Sequence, residues 1–150
     1  MAVAVGLTIS TIVPALIMGI LIGILETYFL VKDESSASAS SVLGHGLIAF
    51  IQVTVLVFFV MHRDVFIALF PSLTKVPFLG FFIVNAVAFR VLIGAIEYVL
   101  LEIKGRAFSG AIGGQVGFHE TYLHVLIIVL LTAFSPEVWA IISALLPFKI

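Results

Sequence analysis

Three ionisable side chains of this sequence fall within long apolar stretches, where a charge is costly. Arg90 stands between the mainly apolar segments 84–89 and 91–96, and Glu97 follows about two helical turns later on the same helical face. Glu26 occupies a similar place in the first half of the chain. An arginine in the middle of a membrane costs about 2.5–3.5 kcal/mol on insertion scales, so it needs an acidic partner.

We therefore predict an intramembrane charge cluster of Arg90, Glu26 and Glu97. One interpretation is a structural salt bridge that locks two membrane helices together. The alternative is a relay that carries protons or ions through the same residues.

Imidazoles and carboxylates near the ends of the apolar stretches form a second candidate site. His45 opens the second stretch, and His119, Glu120 and His124 open the last one. Glu120 and His124 are spaced i, i+4 and share a helix face. Such groups converging from several helices build di-metal sites, and a pair of His45 and His119 would serve as axial ligands of haem. The other interpretation is that these histidines bond only to loops and lipid headgroups.

The composition predicts the solvent that surrounds these residues. The chain has 150 residues, of which 63% are hydrophobic and 10% charged, and its mean hydropathy is +1.35. About a quarter of the residues of a soluble domain are charged, so most of this surface is expected to face lipid. A net charge of −1 does not suit a nucleic-acid partner. The absence of cysteine excludes thiolate ligands and disulfides.

Four apolar stretches are long enough to cross a bilayer as helices. The predicted spans are residues 5–31, 41–61, 76–101 and 118–134. The N-terminal stretch lacks a basic n-region, so we interpret it as the first span and not as a cleaved signal peptide. The prediction is an all-α integral membrane fold of two tandem helical hairpins, because only helices and closed barrels satisfy the backbone in lipid.

Landmarks recur along the chain at a nearly constant distance. Glu26 and Glu97 are 71 residues apart, and His45 and His119 are 74 residues apart. Asp64 and Glu137 are 73 apart, and each begins a short apolar stretch that reaches a proline. A period near 73 predicts a duplication in which each unit is two spans followed by a short interfacial segment. The predicted units are residues 1–75 and residues 76–150.

Glycines mark a surface on which helices can approach closely. Gly19 and Gly23 form a G-x-x-x-G pair in the first span. The repeat offset places Gly19 opposite Arg90, and Gly94 lies one turn beyond the arginine. We therefore expect Gly19, Gly23 and Gly94 to pack helices together and to make room for the arginine side chain.

The charged connections do not fix the orientation in the membrane. One side would carry Arg63, Lys75 and Lys149, and the other side Lys32, Lys104 and Arg106. The positive-inside rule therefore gives a tie. We expect both termini on the same side, which we interpret as cytoplasmic because the serine-rich, acidic connection after the first span looks exterior.

The short connections leave no soluble domain for catalysis or recognition, and no nucleophile triad, P-loop or dinucleotide motif is present. We therefore expect a chain that is not catalytic on its own. The first hypothesis is a helical subunit of a larger membrane assembly, whose partners are the lipid bilayer and other membrane subunits or copies of itself. The second is a homo-oligomeric channel or carrier for protons or metal ions. The third is a metal- or haem-binding subunit of a membrane oxidoreductase.

Overall fold

The computed structural model describes residues 8–33, 39–111 and 121–146, with side chains for 8–33, 46–103 and 121–146. Every regular element within these residues is helical, which confirms the predicted helical class for this part of the chain. The α-helices are α1 (Ile9–Asp33), α2 (Ala39–Met61), α3 (Arg63–Leu69), α4 (Leu79–Val84), α5 (Ala86–Ala111), α6 (Tyr122–Ala133) and α7 (Ser135–Leu145). A 3₁₀ turn (Leu73–Lys75) lies between α3 and α4.

Helices α1 and α2 form a closely packed antiparallel hairpin. A Cβ atom built on Gly19 would lie 2.8 Å from Thr54 Cα, and one built on Gly23 would lie 2.7 Å from the Phe50 ring. These distances leave no room for a methyl group, so glycine allows the two helix axes to approach. At the end of α2, His62 Nε2 lies 2.8 Å from the carbonyl oxygen of Thr11 near the start of α1.

The opposite end of α1 fixes the direction of α6. The backbone N–H of Thr121 donates to Asp33 Oδ2 at 2.8 Å, so α6 begins where α1 ends. Helix α6 therefore runs antiparallel to α1 and parallel to α2, and both end at the same end of the bundle. This end, which holds Thr11 and His62, is called the bend end below.

Both α2 and α6 turn sharply at the bend end. The axis turns by 97° between α2 and α3 and by 74° between α6 and α7. Pro136 explains the second turn, because proline has no N–H to continue the helical ladder and its ring clashes with the preceding turn. At the first turn, His62 has non-helical dihedral angles of φ −126° and ψ 53°. The two turns lie 72 residues apart, at His62 and Phe134.

The third apolar stretch differs from the predicted uninterrupted span at 76–101. It is divided at Asn85, whose backbone is extended (φ −80°, ψ 123°), into α4 and α5. The Asn85 Oδ1 atom accepts hydrogen bonds from the backbone N–H groups of Val87 and Ala88, both at 3.0 Å. Asparagine is among the best helix N-caps, and here it starts a new helix inside an apolar stretch.

Two apolar clusters hold the helices together. The first joins α1, α2, α5 and α6 through the buried residues Met18, Ile22, Val53, Val57, Leu101, Val125 and Ile128. The second lies nearer the bend end and joins α2, α4 and α5 through Leu56, Val60, Ile83, Phe89 and Ile93. The surface is also apolar, since many large hydrophobic side chains on every long helix with described side chains are exposed.

Among the described residues, α1 by itself is long and apolar enough to cross a membrane. The bent pairs α2–α3 and α6–α7 raise the number of candidate spans to three when each pair is taken as one span. Helix α5 has 26 residues but carries Arg90, Glu97 and Glu102 within its described part. All three fall within residues 86–103 of α5, whereas residues 9–26 of α1 hold a single charged residue, Glu26.

Candidate functional site

Two carboxylates lie in the interior of the helical bundle. Glu26 of α1 is 1% exposed and Glu97 of α5 is 0% exposed. Removing an ionised carboxylate from water is costly unless it is paired, hydrogen-bonded or protonated. These two side chains are therefore the principal candidates for chemistry in this chain.

A hydrogen bond from α6 holds the carboxylate of Glu97. The hydroxyl of Thr132, which is itself fully buried, donates to Glu97 Oε1 at 2.9 Å. Gly94 lies one turn from Glu97, and a Cβ atom there would lie 3.2 Å from a methyl carbon of Val129, which would have to shift by a few tenths of an ångström. Close approach of α5 and α6 one turn away thus brings the hydroxyl within reach of the carboxylate.

Sequence analysis missed the hydroxyl groups of this site. Thr132 and Ser135 are both fully buried at the end of α6 and the start of α7. Ser135 Oγ makes no hydrogen bond within the part of the chain that the structure describes. Thr132 and Ser135 are three residues apart in an otherwise apolar segment. Side chains at this spacing lie on the same side of a helix, and this pattern is the signal in the sequence that would have predicted them.

Arg90 has a partner outside the predicted cluster of Arg90, Glu26 and Glu97. Its guanidinium forms an ion pair and hydrogen bond with Glu137 of α7, and not with Glu26 or Glu97. Because α5 begins at Ala86, Arg90 lies in the second turn of this helix and not at the middle of a span. The side chains of Arg90 and Glu137 are 27% and 52% exposed, so the pair lies at the surface of the bend end.

The hydrogen bond from Arg90 lowers the pKa of the Glu137 carboxyl below its ordinary value and outweighs the opposing effect of desolvation. Glu137 follows the turn between α6 and α7, beyond the predicted fourth span. An ionised carboxylate therefore fixes α7 to α5, and it does so outside the apolar interior.

The glycine stripe of α1 also has a different neighbour from the predicted one. Gly19 and Gly23 face Thr54 and Phe50 of α2, so they do not make room for Arg90. The physical reason is the tight hairpin: the sequence-adjacent helix occupies the groove that the glycines create. Gly94 packs against α6.

A second polar contact ties the end of α1 to the start of α6. Asp33 Oδ2 lies 2.7 Å from His124 Nδ1, and the His124 ring stacks on Phe29 with centroids 4.1 Å apart and planes inclined by 2°. Asp33 lies beyond the first predicted span, which ends at residue 31. Burial acts to raise the pKa of its carboxyl, but hydrogen bonds from Thr121 and His124 outweigh it, so this pKa lies below its ordinary value.

The metal and haem hypotheses concern residues that are only partly described. The side chain of His45 and the whole of His119 and Glu120 lie outside the described residues. His124 is described, and its Nδ1 atom is engaged by Asp33. Within the described residues, no group of three His, Asp or Glu side chains is arranged to hold a metal ion.

Comparison of the chain with protein-family models, curated proteins and solved structures finds no match. A buried carboxylate that accepts a hydroxyl hydrogen bond can exchange a proton or bind a small cation, and both Glu26 and Glu97 lie where water is excluded.

Proposed function

We propose that this chain is an integral membrane protein of four spans, in which α1–α2 and α5–α6 are the two hairpins. The apolar composition of α1 and of the bent pairs α2–α3 and α6–α7 supports this topology, as do the exposed hydrophobic side chains along these helices. Helix α5 has 26 residues, and at about 1.5 Å per residue it is longer than a hydrocarbon core of about 30 Å.

Within the membrane, we propose that the protein is a channel or carrier for protons or metal ions. The observation that carries this proposal is the complete burial of Glu97 together with its hydrogen bond from Thr132. An ionisable residue inside a membrane protein is costly and commonly marks an ion or proton pathway. Arg90, which the predicted relay also included, binds Glu137 instead, so the proposed pathway uses Glu26 and Glu97 without it.

Flux through proteoliposomes tests this function. The purified protein is reconstituted, and proton and divalent-metal uptake are followed with entrapped dyes for wild type, E26Q and E97Q. We expect E97Q to reduce flux by at least about 10-fold. A loss of about 1.4 kcal/mol in ion binding or in stabilisation of the transition state is enough to give that factor. The matched control is D64N, because the Asp64 side chain is 82% exposed.

Wild-type flux of both protons and metal ions in E26Q and E97Q would contradict the proposal. Circular dichroism and gel filtration of each variant establish that it is folded before its flux is compared. A uniform loss of flux in D64N as well would show that the assay reports folding and not the buried carboxylates.

A subunit role in a larger membrane assembly is the second candidate. A shallow groove of about 290 Å³ on the outer side of α5 supports it, with Tyr98, Val99, Glu102 and Ile103 in its lining. A lipid-facing groove that contains the exposed tyrosine side chain is better covered by another protein helix, because a polar group exposed to lipid is costly.

Native mass spectrometry of the complex, extracted gently from its own membrane, tests the subunit role. Partner chains in a fixed ratio support a mixed assembly, a homo-oligomer supports an assembly of copies of this chain, and a monomer contradicts the subunit role. Additional mass of haem or metal in stoichiometric amount would instead favour the third hypothesis, a redox or metal-binding subunit that uses His45, His119, Glu120 or His124.

A further inference from the structure

The connection between α3 and α4 exposes a group of large apolar side chains at the bend end. This connection and its flanking residues, 69–81, are called the Phe78 loop. Its exposed large hydrophobic residues are Leu69, Phe70, Val76, Phe78 and Phe81, and Phe78 is 81% exposed. A loop in water would be expected to place polar side chains at these positions.

The backbone holds Phe78 in a strained conformation. Phe78 has φ 68° and ψ −56°, and it is the sole non-glycine residue with positive φ in the described part of the chain. The N–H of Leu79 donates to the carbonyl of Pro77 at 2.8 Å, so Phe78 is the central residue of a γ-turn. Its positive φ makes this the rarer of the two γ-turn types. Such a backbone costs about 1–3 kcal/mol and persists where the surrounding structure enforces it.

The rest of the loop is compact enough to enforce this turn. A Cβ atom on Gly80 would lie 2.2 Å from the carbonyl oxygen of Thr74, so only glycine fits there. The Phe78 ring contacts Phe82 with centroids 5.0 Å apart. The turn therefore presents the Phe78 side chain outward on a rigid support.

The geometry of the bundle gives the direction in which the loop faces. If α2 crosses the bilayer along its normal, the 97° turn after Met61 directs α3 along the membrane surface. The chain continues from α3 through the Phe78 loop before α4 and α5 return into the bundle. The loop therefore lies at the level where the hydrocarbon core meets the headgroups.

Basic groups border the apolar residues at this level. Lys75 is exposed within the loop. Arg63 at the start of α3 is held by the protein itself, since its Nη1 donates to the carbonyl of Val84 at 2.8 Å and its Nη2 lies 3.6 Å from Asp64 Oδ1. Long basic side chains extend along apolar surface to reach phosphate while their neighbours contact acyl chains. This combination of exposed phenyl rings and the exposed Lys75 matches a lipid surface better than it matches water.

We propose that the Phe78 loop inserts its exposed phenylalanines into the boundary between headgroups and acyl chains and thereby anchors the bend end in the bilayer. Apolar faces of interfacial segments penetrate about 5–10 Å into this boundary. The inference rests on the proposed four-span topology, because that topology places the loop at the membrane. The occupant of this surface is lipid, and a second copy or another protein would be an alternative occupant that the test separates.

Tryptophan fluorescence in liposomes tests the insertion. The chain has one tryptophan, so W139F gives a silent background in which F78W reports on the loop. The variant is reconstituted in lipids brominated either near the headgroup or near the bilayer centre, and aqueous iodide is added separately. We expect lipids brominated near the headgroup to reduce F78W emission to about half. They should quench it more strongly than lipids brominated near the bilayer centre, because an interfacial side chain lies close to the headgroups.

A control in α1 separates this inference from the proposed topology. Ile20 is 42% exposed near the middle of α1, so I20W in the same background should be quenched most by deep bromines. Quenching of I20W by bromines, with F78W quenched only by iodide or by neither agent, would overturn the inference and leave the four-span proposal standing. If neither variant is quenched by brominated lipid, both proposals fail.

Discussion

The Oδ2 atom of Asp33 lies 2.7 Å from Nδ1 of His124, a contact between residues 91 positions apart. It joins the polar end of α1 to the start of α6, and it is reinforced by the Thr121 N–H and by the Phe29 ring. The closure of the bundle at this end depends on a carboxylate that no pattern in the sequence singled out.

We expect D33N to destabilise the protein by about 1–3 kcal/mol near neutral pH, because it weakens hydrogen bonds to a charged acceptor. The pKa of Asp33 in the folded protein lies below its ordinary value of 3.8. The ionised carboxylate therefore stabilises the fold above pH 3.8, and this contribution is lost as the pH falls through the lower folded value.

Unfolding by SDS in mixed micelles, measured by circular dichroism at neutral pH and near pH 3, checks this prediction. The difference between wild type and D33N should shrink at the lower pH. An unchanged difference at both pH values would show that the effect of D33N does not arise from the charge of Asp33. D64N, at an exposed carboxylate, serves as the control.

Substitution of Gly19 tests the close approach of α1 and α2. In G19A the new methyl group would lie 2.8 Å from the backbone Cα of Thr54, which cannot move aside without moving the helix. We expect a loss of about 1–3 kcal/mol in unfolding free energy from overpacking. G94A is the matched control, because its nearest neighbour would be a Val129 methyl at 3.2 Å that can shift. Equal stability of G19A and wild type would contradict the hairpin geometry.

Removal of the Thr132 hydroxyl tests the hydrogen bond to Glu97. T132V keeps the shape of the side chain but withdraws the donor from a buried carboxylate, and we expect a loss of about 1–3 kcal/mol. T54V is the matched control, since the Thr54 hydroxyl donates only to the Phe50 carbonyl of its own helix at 2.7 Å. A loss no larger in T132V than in T54V would mean that this hydrogen bond does not stabilise the carboxylate.

A double-mutant cycle of R90Q and E137Q measures the ion pair that fixes α7. Both side chains are partly exposed, so we expect a coupling free energy of about 0.2–1 kcal/mol. The cycle of R63Q and D64N is the comparison, because that pair is 3.6 Å apart and Asp64 is 82% exposed. A coupling in the first cycle no larger than in the second would show that Arg90 does not hold α7.

The sequence by itself determined the helical class and the positions where charge enters an apolar environment. The apolar lengths predicted α1 and α2 to within a few residues, since hydrophobic runs of this length leave the backbone few alternatives to helix. Glu26 and Glu97 stand out in the sequence because each is a carboxylate among apolar neighbours. Four membrane spans and the duplication remain predictions.

Only the tertiary structure decided which side chains meet. Arg90 binds Glu137 because Asn85 starts a new helix just before the arginine and because the chain turns at Phe134. Gly19 faces α2 because the helix that follows it in sequence occupies the groove beside it. Hydrophobic periodicity specifies that a helix is buried on one side but carries little information about breaks and turns, and these breaks and turns set which polar groups come within bonding distance.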